Sequence, residues 1–295
     1  MKIFFPSYYK DFECIADRCL HSCCIGWEIG VDTDTLEKYE SLSERKDILC
    51  HIKDGEIILC DGGRCPFLRT DGLCQIIADH GEAYVSEICR EHPRFYHRAG
   101  ERIEGGIGAS CEEAARIILS SDSYDNFYIA EWRGEPAEET DFNAVSYRTE
   151  IYSLLCGALS YGEKLLKIKE MFCLTDRLYS DEKWNEILFG LEYLDEEHRG
   201  LLCVGETEAS AEQQPYLERF LAYLVFRHVS VAENYENMRA RLGFCMLLTR
   251  ILESFVSKEH PTFNQIADFV RIISEEIEYS EDNTSSLIFE IECAL

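Results

Sequence analysis

Leu217-Glu218-Arg219-Phe220-Leu221-Ala222-Tyr223-Leu224-Val225-Phe226-Arg227-His228 is the stretch that decides the fold class. Leu217, Phe220, Leu221, Leu224, Val225 and His228 fall at i, i+3, i+4, i+7, i+8 and i+11, which is one face of an α-helix. Leu242, Cys245, Leu248 or Thr249, Leu252 and Phe255 make a second stripe. Phe263, Ile266, Phe269 or Val270, Ile273 and Ile277 make a third, with Pro261 and Thr262 at its start. Earlier helices are expected around residues 146–173 and 183–200, and a polar break over 205–214. The second part of the chain is therefore predicted to be helical.

Toward the N-terminus the character changes. Ten of the fifteen cysteines lie in the first 111 residues, as do five of the eight histidines. Asp54-Gly55, Asp61-Gly62-Gly63 and Asp71-Gly72 punctuate this part, and each favours a turn because those residues tolerate positive φ. Short elements and few apolar stripes leave stability short of a source. Metal ligation supplies one, since binding energy at a structural site becomes folding energy. The fold class expected is mainly α, an irregular cysteine-rich metal-binding N-terminal lobe packed on an α-helical C-terminal lobe. Residues 1–133 and 141–295 are the expected domains, joined by a Pro- and Glu-containing connector at 134–140.

Charge narrows the function classes. The chain carries a net charge of −27, and its pI near 4.6 is the reverse of a phosphate-neutralising footprint. Nucleic acid and anionic membrane surfaces are thus not expected partners, while a cationic substrate is compatible with the charge. The opening Met1-Lys2-Ile3-Phe4-Phe5-Pro6 is too short for a secretory h-region, which needs about 7–15 apolar residues. A reducing cytoplasm is the expected compartment, where disulfides are rare.

The cysteine constellation runs Cys14-x4-Cys19-x3-Cys23-Cys24, then Cys65-Pro66-Phe67-Leu68, Cys74, Cys89-Arg90-Glu91-His92-Pro93-Arg94 and Cys111-Glu112-Glu113. Thiolates are soft donors for zinc and iron–sulfur clusters. No Cys-x2-Cys knuckle of a zinc ribbon occurs, and single thiolates gathered from several turns fit an iron–sulfur site more readily, with zinc open. For Cys50, Cys60, Cys156, Cys173, Cys203, Cys245 and Cys293 the expected role is that of a small buried hydrophobe. The Cys-x3-Cys-x2-Cys triplet of radical S-adenosylmethionine enzymes is missing. His92 and His97 flank Pro93-Arg94 as further ligand candidates, and His228 is expected in the core or at its boundary. Gly105-Gly106-Ile107-Gly108 reads as a glycine-rich turn.

These blocks resemble the flagellin lysine N-methylase (FliB) family. The matching pieces are Tyr8 to Cys14; Cys19-x3-Cys23-Cys24-x2-Trp27 with Ile29 and Asp32; Cys65-Pro66-Phe67-Leu68 with Leu73-Cys74 and Ile76; Ser86-x2-Cys89-x3-Pro93-Arg94; Ser110-Cys111-x2-Ala114-Ala115-Arg116; and Tyr223-x3-Arg227-His228. The cysteine blocks are also similar to the broader zinc- or iron-chelating cysteine domain family. The resemblance implies a cytoplasmic enzyme that moves a methyl group from S-adenosylmethionine to lysines of flagellin, with an iron–sulfur cluster, [4Fe-4S] before zinc. The ligand pool it implies is Cys14, Cys19, Cys23, Cys24, Cys65, Cys74, Cys89 and Cys111. Eight thiols serve one cluster with four to spare, or two metal sites; Cys65, Cys74, Cys89 and one of Cys23 and Cys24 are the preferred four. Trp27 is read either as a pocket wall or as a lid on the small core, and Arg90 and Arg94 as a carboxylate clamp or as partners of local glutamates. Glu112 stands where that family has proline. The competing reading is a non-catalytic metal module with a helical partner-binding lobe.

Overall fold

The helix read from 217–228 forms as Gln214–Leu224, with Pro215 in its first turn, where the missing N–H costs nothing. It runs on into a π-helical segment, Val225–Val229. The computed structural model describes residues 2–132, 142–174 and 179–295, and α-helix dominates them. The second stripe is the middle of Tyr235–Glu259, started by the Asn234 side chain, which accepts the Asn237 N–H at 2.9 Å. The third is Phe263–Ile273, where Gln265 accepts the Thr262 N–H at 2.9 Å. A second π-helical segment, Ser274–Glu278, follows it. The expected 146–173 region is two helices, Ala144–Leu155 and Tyr161–Met171, and the 183–200 region is Asp181–Phe189 with the short 3-10 turn Glu196–His198. A final helix, Glu281–Ala294, carried no expectation. Among the described residues no helix is long and apolar enough to cross a membrane.

A sheet stands where the sequence pointed to none. Its order is Arg94–Ala99, Arg102–Ile107, Lys2–Pro6, Phe127–Glu131. Lys2–Pro6 pairs in parallel with Arg102–Ile107, Ile3 facing Ile103, and antiparallel with Phe127–Glu131, Ile3 facing Ala130. Ile3 and Phe5 are buried on one face of the alternation that a strand imposes. The expected turn at 105–108 is thereby corrected, since Gly105, Gly106 and Ile107 lie within a strand. Gly105 is there for space: a Cβ on it would meet Phe5 Cε1 at 2.4 Å.

The chain divides into two compact units whose segments interleave along the sequence. One is Met1–Phe12, Tyr96–Ser110 and Ala114–Leu295; the other is Glu13–Phe95 with Cys111–Glu113. The connector expected at 134–140 lies outside the described residues. The first, helical unit has a core built from the helix stripes, with Leu217, Phe220, Leu221, Leu248 and Leu252 fully buried. It also buries charge. Arg148 forks onto Glu104 at 2.5 and 2.8 Å, and Glu278 receives Tyr223 and His228 at 3.2 and 2.7 Å. His228 is thus a satisfied interior residue, as its place on the stripe implied. The second, cysteine unit has a modest core of Ile29, Val31, Tyr39, Ile48, Ile57, Phe67, Leu68, Ile76 and Val85, into which Cys65 is built. All eight cysteines of the expected ligand pool fall in this unit.

Candidate metal centre

Backbone pairing brings three of the cysteine segments together. Gly26 and Gly63 both have positive φ, and the Gly26 N–H donates to the Gly63 carbonyl at 2.8 Å. A side chain on Gly63 would press on the Gly26 backbone at 3.2 Å, so this close approach needs glycine. Just beyond it the Cys65 N–H donates to the Cys24 carbonyl at 2.8 Å. The chain then folds back on itself. Gln75 N–H reaches the Phe67 carbonyl at 2.7 Å, and Leu68 bridges Cys74. Cys24 and Cys74 both pack against the core that holds Cys65. Cys89 arrives on the short helix Glu87–Glu91. Asp32 fixes that helix by accepting the Glu87 N–H at 2.8 Å while capping Thr33–Ser41 through the Thr35 N–H at 2.9 Å.

The thiols so gathered feel one another. Cys65 interacts electrostatically with Cys24, Cys74 and Cys89, and Cys89 with Cys24 and Cys74. Burial pushes the Cys65 thiol up to about 12, against the Phe67 N–H aimed at its sulphur. Burial also raises Cys74, opposed by the Ile77 and Ile76 N–H groups. Cys89 has exposed surface, yet the chain packed round its sulphur desolvates it and raises its pKa too. Cys24 goes the other way, down to about 6. Its neighbour Cys23 donates to it, and Ser22 and the Arg64 guanidinium favour the thiolate against the opposing cost of burial. A bound soft cation removes the conflict, because coordination deprotonates a thiol outright. N–H groups directed at sulphur would then stabilise the thiolates and tune a cluster held by them. The donor set fits an iron–sulfur centre.

The other four cysteines lie nearby. Cys23 donates to Cys24 and also interacts with Cys111 and Cys14, and Cys19 interacts with Cys111. Glu112 draws the segments in: its Oε2 accepts the Leu20 N–H at 2.8 Å and the His21 N–H at 3.2 Å, and lies 3.6 Å from the Cys19 sulphur. Desolvation raises the Cys19 thiol to about 12. Glu112 was not among the sequence candidates. Its only signal was its place beside Cys111, where the resembling family has proline.

The remaining candidates separate clearly. Trp27 is half-buried, its ring centroid 6.3 Å from that of His92, whose pKa burial lowers to about 4. Arg90 is exposed and lies 3.8 Å from Glu91, and Arg94 donates to the Arg90 carbonyl at 3.4 Å. His97 belongs to the helical unit, facing Glu104 at 3.4 Å, so it does not join the cysteines. Tyr96 is also in the helical unit, its hydroxyl 3.4 Å from that of Tyr9. Cys245 is buried as expected. Cys50, Cys60, Cys156, Cys173, Cys203 and Cys293 are exposed, so burial as small hydrophobes does not account for them. Arg64, which supports the Cys24 thiolate and donates to the Leu68 and Arg69 carbonyls at 3.1 and 2.8 Å, had no sequence signal beyond its charge. Among the described residues, the three metal-ligating atoms that lie within 4.8 Å of one another belong to His198, Glu275 and Glu276, not to thiols. A tetrahedral zinc with sulphur bonds of ~2.3 Å holds its thiolates roughly 3.8 Å apart. A four-iron cluster takes one thiolate per iron and spaces them more widely.

No family model matches the chain, and no solved structure matches it. Three curated relatives do, each at 28% identity over 127 residues, or 39% of this chain. One is the flagellar biosynthetic protein FliU of Salmonella muenchen, of which the match covers 75%. The others are lysine-N-methylases of Salmonella choleraesuis and Salmonella typhimurium, of which it covers 32%. The match thus spans about a third of each lysine-N-methylase. The resemblance read from the cysteine blocks is shown in these relatives.

Proposed function

We propose that the protein is a protein-lysine N-methyltransferase that takes its methyl group from S-adenosylmethionine and acts on flagellin in the cytoplasm. Its iron–sulfur cluster, [4Fe-4S], is held by Cys24, Cys65, Cys74 and Cys89. The observation that carries the reading is the similarity to proteins named lysine-N-methylase. Cys65 within one small core, Cys24 and Cys74 packed against it, and Cys89 in electrostatic reach of all three support the cofactor. When bound, such a centre supplies a rigid cationic node that ties four chain segments together. The chain's own part is to present thiolates, shield them, and aim the Phe67 and Ile77 N–H groups at sulphur.

Methyl transfer itself sets one requirement. The lysine amine must be uncharged before its lone pair attacks the methyl carbon and the sulphonium C–S bond breaks, yet its ordinary pKa is about 10.4. Desolvation or a base lowers that barrier. The test is transfer of isotopically labelled methyl from S-adenosylmethionine to purified flagellin by anaerobically prepared protein, with lysines located by mass spectrometry. Labelled lysine is expected; iron-loaded protein that labels none overturns the reading.

A second reading rests on the share of each lysine-N-methylase that is matched, about a third. On it the chain is a metal-binding module with a helical partner-binding part and no catalysis. Iron-loaded protein that binds flagellin without transferring label would favour it.

A further inference from the structure

The strands of the sheet contribute one residue each to a row across a single face. Phe5 of Lys2–Pro6 faces Tyr128 of Phe127–Glu131. On its other side stands Gly105 of Arg102–Ile107, and beyond that Tyr96 of the edge strand Arg94–Ala99. A Cβ on Gly105 would lie 2.4 Å from Phe5 Cε1 and 3.0 Å from Tyr96 Cδ1, so both rings lean into the space that the glycine leaves. Two more rings flank the row. The Tyr9 centroid lies 4.2 Å from that of Phe5 and 6.4 Å from that of Tyr128, and Trp132 lies 5.7 Å from Tyr96. Phe5 is the floor, buried with Ile3 and Ile103. The other rings keep surface: Tyr96 is 41% exposed, and Tyr9, Tyr128 and Trp132 are half-buried.

We propose that Tyr9, Tyr96, Tyr128 and Trp132, with Phe5 beneath them, form an aromatic cage for a methylated lysine side chain. The proposal takes its ligand class from the reading above, in which methyl-lysine is the product, and requires no catalysis by this chain. Three observations carry it. First, the rings do not make a flat stack in which their faces are spent on one another. Tyr9 and Tyr128 are inclined at 55°, Tyr96 and Trp132 at 42°, and Tyr96 stands at 80° to Phe5. The Tyr9 and Tyr96 hydroxyls, 3.4 Å apart, tie two of them together at one edge. Second, the composition suits a cation. Trp and Tyr faces carry the negative end of the ring quadrupole and attract a positive group within about 6 Å. Sealing Ile3 and Ile103 needs only apolar bulk, whereas this face uses three phenols and an indole that still reach water. Third, the chain's net charge of −27 favours a cationic guest.

The same chemistry chooses among lysines. A bare ammonium is a compact, strongly hydrated charge, and ring faces return little of the hydrogen bonding it would give up. Methylation thins that hydration and spreads the charge over carbon, which is the form that aromatic cages take. A protein with this site stays on a surface that already carries the modification.

The test is calorimetric titration of full-length protein with a short peptide carrying one trimethyllysine. Beside it run the same peptide with unmodified lysine, and a neutral isostere in which carbon replaces the ammonium nitrogen. The trimethyllysine peptide is expected to bind, and the other two about tenfold more weakly. Tyr96→Leu and Trp132→Leu should each weaken the first peptide about tenfold, with unchanged circular dichroism to show that the fold is intact. Tyr96→Phe keeps the ring and should keep the binding, as should Phe289→Ala, which removes an aromatic side chain that is 61% exposed on the helix Glu281–Ala294. A neutral isostere that binds as tightly as the cation, or wild-type affinity in folded Tyr96→Leu, overturns the proposal. Protein that binds trimethyllysine in this pattern and transfers no methyl group overturns the enzyme reading and leaves this one standing.

Discussion

The helical unit and the cysteine unit solve the same problem with different means. In the helical unit Tyr235–Glu259 alone runs for 25 residues and buries Leu242, Phe244, Leu248, Ile251 and Leu252 completely. Burying one such side chain is worth about 1.5–3 kcal/mol, so a few turns of one helix already oppose much of the ordering entropy. In the cysteine unit no helix exceeds nine residues, and Arg45–Leu49 and Glu87–Glu91 have five. Helices that short are marginal on their own. Their positions come from side chains that reach across the chain, as Asp32 reaches Glu87 and Glu112 reaches Leu20 and His21. One unit is held by periodic apolar burial, the other by polar clasps around thiols. The difference teaches where a metal would matter: under the proposed function it would stabilise the unit whose own core is small.

The strongest way to break that comparison is to take the metal away. Anaerobic chelation is expected to open residues 13–95 to protease while the helical circular dichroism of the other unit persists. One common melting midpoint for protease sensitivity and helix content would show a single cooperative unit instead.

A smaller effect sharpens the helical side. Arg148→Met leaves the Glu104 carboxylate buried without its fork and is expected to cost about 3–5 kcal/mol, read by denaturant unfolding. The metal bound per folded chain should not change. Acid acts on the same pair. Burial by itself would raise the Glu104 pKa, but Arg148 and His97 bring it down from 4.5 to about 2. A lowered carboxylate pKa means that stability is present above pH 4.5 and lost as pH falls toward 2. Arg148→Met should flatten that part of the stability–pH curve; an unchanged slope would remove the pair from the account.

The smallest effect belongs to the cysteine side. Asp32→Ala removes a helix cap, worth about 0.5–2 kcal/mol, and frees the Glu87–Glu91 helix that carries Cys89. Faster metal loss to a chelator is the readout, with the far-ultraviolet signal of the long helices unaltered. Metal loss at the wild-type rate would show that Cys89 is positioned by other contacts.

The helices were legible because 3.6-residue periodicity is local: Leu217, Phe220 and Leu221 declare a face within five residues. The sheet was not. Lys2–Pro6 finds its partners at Ile103 and Ala130, about a hundred residues away, and nothing in a five-residue apolar run names them. For the same reason Gly105-Gly106-Ile107 passed for a turn, although Gly105 makes room for Phe5 of the neighbouring strand. The cysteine pool could be read from density and spacing. Which of its thiols approach one another could not, because Cys24 meets Cys65 through a long-range backbone contact, the Cys65 N–H on the Cys24 carbonyl. Glu112 was hidden too, since a carboxylate that receives N–H groups from residues 20 and 21 looks in sequence like any surface acid. The exposure of Cys50, Cys60 and Cys293 ran against the usual preference of free cysteine for the interior.

The central place of Lys2–Pro6 in its sheet has a consequence for the order of events on the ribosome. The strand is made early, but its parallel neighbour at residues 102–107 follows about a hundred residues later. At ~5–20 residues per second that is a delay of roughly 5–20 s. Throughout that interval Ile3 and Phe5 lack the sheet that later covers them, while nearly all of residues 13–95 emerges behind them. Vectorial synthesis thus offers the cysteine segments a window to gather before the helical unit is complete. Cys111 is the last of the eight to be made, close to the moment at which the first strand gains its partner.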